Sequence, residues 1–206
     1  MSIEGPVAAA QETGSEPPAA LIGPNAILQA LPVMERMLGA RESAHILKEA
    51  RIATLPDGES MIPEAEAMRL HHALSMRDPF EAIDIAREAG HGTADYIIAN
   101  RIPRIAAKIL QWLPAWLAAP LLMKAIARHA WTFIGSGRFE ADGGWRFTID
   151  RTEADDLMMP TDSLFEWYGA VFTRLYQRLV HPRARCRDEG PLAMHRFAHG
   201  YRIEIG

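Results

Sequence analysis

Arg128-His129-Ala130-Trp131-Thr132-Phe133-Ile134-Gly135-Ser136-Gly137-Arg138-Phe139 is the stretch on which the fold turns. Before it, apolar residues recur at helical spacing; from Trp131 they are aromatic or β-branched and alternate. That change predicts a strand over 131–139. Residues 145–149 are its expected partner across Glu140-Ala141-Asp142-Gly143-Gly144, a hairpin signal. The junction joins a helical first half to a sheet-bearing second half.

Working upstream, residues 109–123 carry no charge and are bracketed by Lys108 and Lys124. The run is too short to span a bilayer and contains Pro114 and Pro120. It predicts a buried or ligand-lining helix pair, with a position on a membrane surface as the other reading. Pro103, Pro114 and Pro120 divide this region into short helices ending near Ala130. Asp78-Pro79 caps a helix over 80–99 that Gly90-His91-Gly92 is expected to interrupt, and Pro63-Glu64-Ala65-Glu66 opens the one before it. Ala44 to Ile52 reads as helix. Ile27, Leu28, Leu31, Met34, Met37 and Leu38 mark another, offset at Pro32 and stopped at Gly39.

Downstream, Thr161 or Asp162 starts a helix carrying Leu164, Phe165, Tyr168, Val171, Phe172, Leu175, Tyr176 and Leu179. Strands are expected near 184–187 and 200–205. The fold class is thus α+β: a helical N-terminal half packed on a small antiparallel sheet. Residues 1–20 lack hydrophobic periodicity and read as a disordered tail, leaving 21–206 as a single domain.

With 206 residues and 49% hydrophobic content, the chain can bury a full core. A net charge of -4 argues against nucleic acid, and Arg183, Arg185 and Arg187 read as a solvated strand face. The single cysteine, Cys186, excludes an internal disulfide and fits a reducing, cytoplasmic setting. No basic segment followed by an apolar run marks a secretory signal near the N-terminus.

Gly135-Ser136-Gly137 begins like a dinucleotide fingerprint, but Glu140 stands where the third glycine belongs, and a hairpin rather than a helix is expected next. Glycines bending an edge strand is the preferred reading. Cys186, His195 and His199, with Asp188 or Glu189, are zinc-ligand types at a spacing matching no common site; they are weak metal candidates. His71 and His72 are adjacent on a helix, so at most one faces the core.

His129 falls at the end of an apolar helix beside Arg128. A C-terminal cap is the ordinary reading; a neutral imidazole there could instead ligate a metal held inside a ligand. Trp112, Trp116, Trp131, Phe133, Phe139, Trp167 and Phe172 are most simply core. Two tryptophans on a proline-broken segment nevertheless leave room for a cavity. The expected ligand site is Trp112, Trp116, Trp131 and Phe133 as lining, His129 facing a bound metal, and Arg128 or Arg138 on a ligand carboxylate. A flat macrocycle burying roughly 400 Å² there gains on the order of 10 kcal/mol gross at ~25 cal/mol per Å², largely offset by association costs.

Leu21-Ile22-Gly23-Pro24-Asn25, Ile62-Pro63-Glu64-Ala65-Glu66, Ala94-Asp95-Tyr96-Ile97 with Arg101-Ile102-Pro103, and His129-Ala130-Trp131-Thr132-Phe133 through Gly135-Ser136-Gly137 resemble the bacteriochlorophyll 4-vinyl reductase family, the J-protein family of bacteriochlorophyll biosynthesis in purple bacteria. The vinyl group is position 8 in current ring numbering. The resemblance covers nearly everything after the N-terminal tail. It implies an α+β 4-vinyl reductase domain, similar to vesicle-tethering TRAPP subunits and commonly homodimeric, with a magnesium divinyl tetrapyrrole as ligand.

Reducing a vinyl group needs a hydride or electron source. No intrinsic cofactor site is recognisable, so a tetrapyrrole-binding carrier or assisting subunit is preferred to an NADPH-dependent reductase. A scaffold recruiting pathway enzymes is the third reading. Sensor relatives hold zinc with a C-terminal cysteine pair; here Tyr201 stands at the final cysteine's place. The expected location is cytoplasmic, with peripheral contact at the photosynthetic membrane.

Overall fold

Proline, glycine and one aspartate punctuate the helical half. The computed structural model describes residues 20–152, 159–193 and 195–206; the expected tail lies outside them apart from Ala20. A two-residue strand, β1 (Leu21–Ile22), leads into α1 (Asn25–Leu28) and α2 (Ala30–Leu38). The offset expected from Pro32 falls at Gln29, and Gly39, with φ +86°, separates α2 from α3 (Ala40–Glu49). β2 (Ile62–Pro63) pairs antiparallel with β1 and runs into α4 (Glu64–Arg77). The Asp78 carboxylate accepts from the Phe80 and Glu81 amides and starts α5 (Pro79–Asn100).

α5 is not interrupted at Gly90-His91-Gly92, correcting the sequence expectation. Gly90 lies where α5 meets the last helix, α9 (Asp162–Leu179); a Cβ there would sit 2.7 Å from both the Ala170 Cβ and the Trp167 carbonyl. The glycine permits close helix packing rather than breaking the helix. After α5 come α6 (Arg104–Trp112) and α7 (Ala115–Arg128), joined through Leu113-Pro114.

The stretch expected as a strand divides. Residues Trp131–Ile134 form one helical turn, α8, its Phe133 and Ile134 amides donating to the Ala130 carbonyl. Gly135 at φ +57° ends it, and only then does β3 (Arg138–Asp142) begin. The β-branched and aromatic composition loses here to a separate turn begun at Ala130, just after α7 ends.

The sheet order is β3, β4 (Arg146–Asp150), β6 (His195–Ile205), β5 (Ala184–Leu192), antiparallel throughout. Its β5–β6 ladder slips register at Asp188/Gly190 and Pro191/Leu192. One sheet face packs on α9. Phe147 stacks between Phe172 and Tyr201 with centroids 3.9 and 4.7 Å apart, and Phe133 and Phe139 extend the cluster. Tyr176 donates to the Gly144 carbonyl (2.6 Å) and lies 3.3 Å from the Ala119 carbonyl. That hydroxyl ties α7 to the β3–β4 turn just where Pro120 interrupts α7's backbone bonding.

Candidate functional site

Three of the four sequence blocks that carry the family resemblance meet at one corner. The Gly23 amide donates to the Thr132 carbonyl (2.7 Å), the Glu64 amide to the Ala20 carbonyl (2.9 Å), and β1 lies on β2. At the centre, Glu64 and Arg151 are 8% and 2% exposed. Their ion pair is 3.1 Å long, and the Arg151 guanidinium also donates to the Ile134 carbonyl and approaches the Met68 sulfur at 3.2 Å. The Ser136 amide and hydroxyl both donate to the Glu64 carboxylate.

A Cβ on Gly135 would fall 1.8 Å from Glu64 Oε2, so the glycine is required by this carboxylate as well as by its φ. The Gly-Ser-Gly turn therefore cradles an anion of its own chain. Sequence reasoning missed Arg151: nothing local marks a lone arginine after a strand as buried.

The aromatic residues expected to line an interior cavity lie outside instead. Trp112, Trp116 and Trp131 are 89%, 68% and 61% exposed, so the cavity reading is corrected. Ala118, Ala119, Leu122 and Met123 fill the inner side of α7 with no space left for indoles. Phe133 faces inward, its ring 5.8 Å from Phe139 and 6.4 Å from Phe172. Two concavities, of about 370 Å³ between α5, α9 and β5 and about 250 Å³ beside Ser75 and Thr161, border none of the expected ligand residues.

His129 is exposed at the C-cap of α7, between exposed Arg128 and the α8 turn. Its Nδ1 is 2.9 Å from the Ala125 carbonyl. A carbonyl only accepts, so Nδ1 carries a hydrogen, and in a neutral imidazole the lone pair is then on Nε2. Backbone contact of this kind is how proteins orient a metal-ligating imidazole. Arg138 stands apart on β3, opposite Asp150, whose carboxyl is held below the ordinary range by its hydrogen bonds to Thr152 with help from the nearby cations, against the opposing effect of burial.

The weak metal candidates are not gathered. Cys186 lies opposite Ile203, its thiol pushed well up by burial; His199 lies opposite Pro191 and His195 opposite Leu192. His199 is engaged, with Nδ1 2.7 Å from Asp188 and its ring stacked 3.7 Å from Phe165. Among the described residues no three His, Cys, Asp or Glu side chains form a metal-holding group. His71 is buried and His72 exposed, as adjacency on a helix requires. His71 Nδ1 meets the Ser163 hydroxyl at 3.0 Å, and burial pulls its pKa down to about 4.

No family model matches the chain. It is 41% identical over 178 residues to the bacteriochlorophyll synthase 23 kDa chain of Cereibacter sphaeroides, covering 85% of this chain and 86% of that one. The protein of the same name from Rhodobacter capsulatus is 41% identical over 171 residues, covering 81% and 79%. Among solved structures, the Fe(II) unliganded H-NOX protein of K. algicida matches 90% of this chain and 97% of its own at TM-score 0.57 and 9% identity. A point mutant of that protein gives TM-score 0.55 at 10% identity. At so low an identity the likeness concerns the fold alone, an α+β arrangement.

Proposed function

The chain belongs to the J-protein family of bacteriochlorophyll biosynthesis, that of the bacteriochlorophyll synthase 23 kDa chain, and on that premise we propose that it carries or presents a magnesium divinyl tetrapyrrole. It is a subunit associated with bacteriochlorophyll biosynthesis. The step it serves is the one associated with reduction of the 8-vinyl group. The observation that carries this reading is His129: its Nδ1–H is held by the Ala125 carbonyl, and Nε2 is free to ligate magnesium.

Trp131 offers an exposed indole for a macrocycle face two residues away, and Arg128 supplies a guanidinium for a propionate. Arg128, His129 and Trp131 are all exposed, which suits taking up and handing over a flat pigment. The Gly-Ser-Gly turn commits its Ser136 amide to Glu64, which favours a carrier over a nicotinamide-binding reductase. Pathway enzymes are the natural partners for such a hand-over.

Titrating the purified protein with magnesium divinyl protochlorophyllide should shift its Soret band at micromolar concentration. His129→Ala should weaken the magnesium pigment roughly tenfold and its metal-free counterpart much less. Absence of any shift would sink the reading, and equal losses would remove the ligand role of His129. Anaerobic incubation with divinyl chlorophyllide and NADPH should leave the pigment unreduced; a reduced product from these components alone replaces the carrier with a reductase.

A further inference from the structure

We propose that the outward face of α6 and α7 docks on the surface of an anionic lipid bilayer. At 100° per residue, Ile105, Ile109 and Trp112 occupy an arc of about 60° on α6. All three face solvent, with Ile105 75% exposed, while Ala107 and Leu110 pack inward. Gln111 donates to the Arg178 carbonyl of α9 (3.0 Å), fixing the helix with its greasy ridge outward. Past the Pro114 elbow, α7 continues the exposed apolar surface with Trp116 and Leu121. A contiguous exposed apolar patch of this kind marks an interaction surface.

Charge selects the partner. Residues 96–139 contain six Lys or Arg and no Asp or Glu, in a chain whose net charge is -4. Arg104 and Lys108 border the α6 ridge, and Lys124 lies on the exposed side of α7. Among the described residues Arg104, Lys108 and Lys124 form no ion pair. A second copy meeting this face would bring one cation-bearing surface onto another, and residues 96–139 supply no carboxylate to pair with it. An anionic bilayer meets both demands: phosphates for the cations and the headgroup–acyl boundary for isoleucine and indole. No helix among the described residues is long and apolar enough to cross a membrane, so this is attachment in the plane of the surface.

The inference goes beyond the tetrapyrrole reading and does not need it. The full chain should float with vesicles of phosphatidylcholine and phosphatidylglycerol, with its tryptophan emission shifting to the blue, and should stay behind with phosphatidylcholine alone. I105S/I109S/W112S should abolish flotation, and R104E/K108E should weaken it at least fivefold, with melting temperatures held. Failure of the wild-type chain to float with anionic vesicles overturns the proposal. So does flotation that both variants leave unchanged, or a ridge variant that turns a dimer into a monomer while still floating. The vesicles contain no pigment, so a failure here leaves the Soret titration to stand or fall by itself.

Discussion

The corner around Glu64 and the elbow at Pro114 use their sequence motifs in opposite ways. At the corner, distant segments bring a carboxylate, a guanidinium, an amide and a hydroxyl together and bond them to one another, leaving of these groups only Arg151 Nε buried without a partner among the described residues. At the elbow, neighbouring segments hold isoleucines and indoles that stand exposed among the described residues. The motif that looks most like a ligand loop, Gly-Ser-Gly, is therefore architecture. The segment that looks most like core is surface.

The largest effect should come from breaking the corner. Arg151→Met leaves Glu64 buried without its cation and should cost about 3–5 kcal/mol in denaturant unfolding, with E64Q/R151M recovering much of the loss. A cost below about 1 kcal/mol would mean that the pair is not buried as described.

Next is the buried imidazole. His71 is held neutral, with a folded-state pKa of about 4 against an ordinary 6.5. The unfolded chain takes up its proton first, so stability is full above pH 6.5 and declines as the pH falls toward 4. The slope is up to about 1.4 kcal/mol per pH unit, on the order of 3 kcal/mol across the window. His71→Asn should flatten that part of the stability–pH curve, and an unchanged slope would assign the titration elsewhere.

Gly90→Ala tests the α5–α9 seam and should cost about 1–3 kcal/mol through overpacking. The smallest effect belongs to the elbow. Trp112→Ala should alter unfolding free energy by no more than about 0.5 kcal/mol, since so exposed an indole contributes little to folding. A loss of several kcal/mol would place that ring in a packed interior and erase the contrast between the two regions.

Much of the fold was legible because its signals are local. The Asp78 cap, Pro63 ahead of an acidic first turn and the Gly143-Gly144 turn each act within a few residues, as does the apolar stripe of α9. What was misread depends on distant partners. Gly90 looks like a break until Ala170 is placed against it, and 131–134 looks like a strand until its Thr132 and Ile134 carbonyls are seen to accept from Gly23 and Arg151.

The site divides along the same line. His129 and Arg128 could be placed at a helix end from sequence. That Trp112 and Trp116 face outward could not, because i, i+4, i+7 spacing describes one side of a helix without saying which side is inside. Arg104 and Lys108 beside the ridge were the available clue. Arg151 had none.

β5 lies at the sheet margin with two breaks in its register, Pro191 near its end, and Arg185, Arg187, Asp188 and Glu189 along it. Such a border offers no continuous row of backbone donors and acceptors to a neighbouring molecule, and proline removes one donor outright. Copies crowded side by side are thereby kept from zipping into extended fibrils, so the protein can accumulate locally without polymerising through that margin.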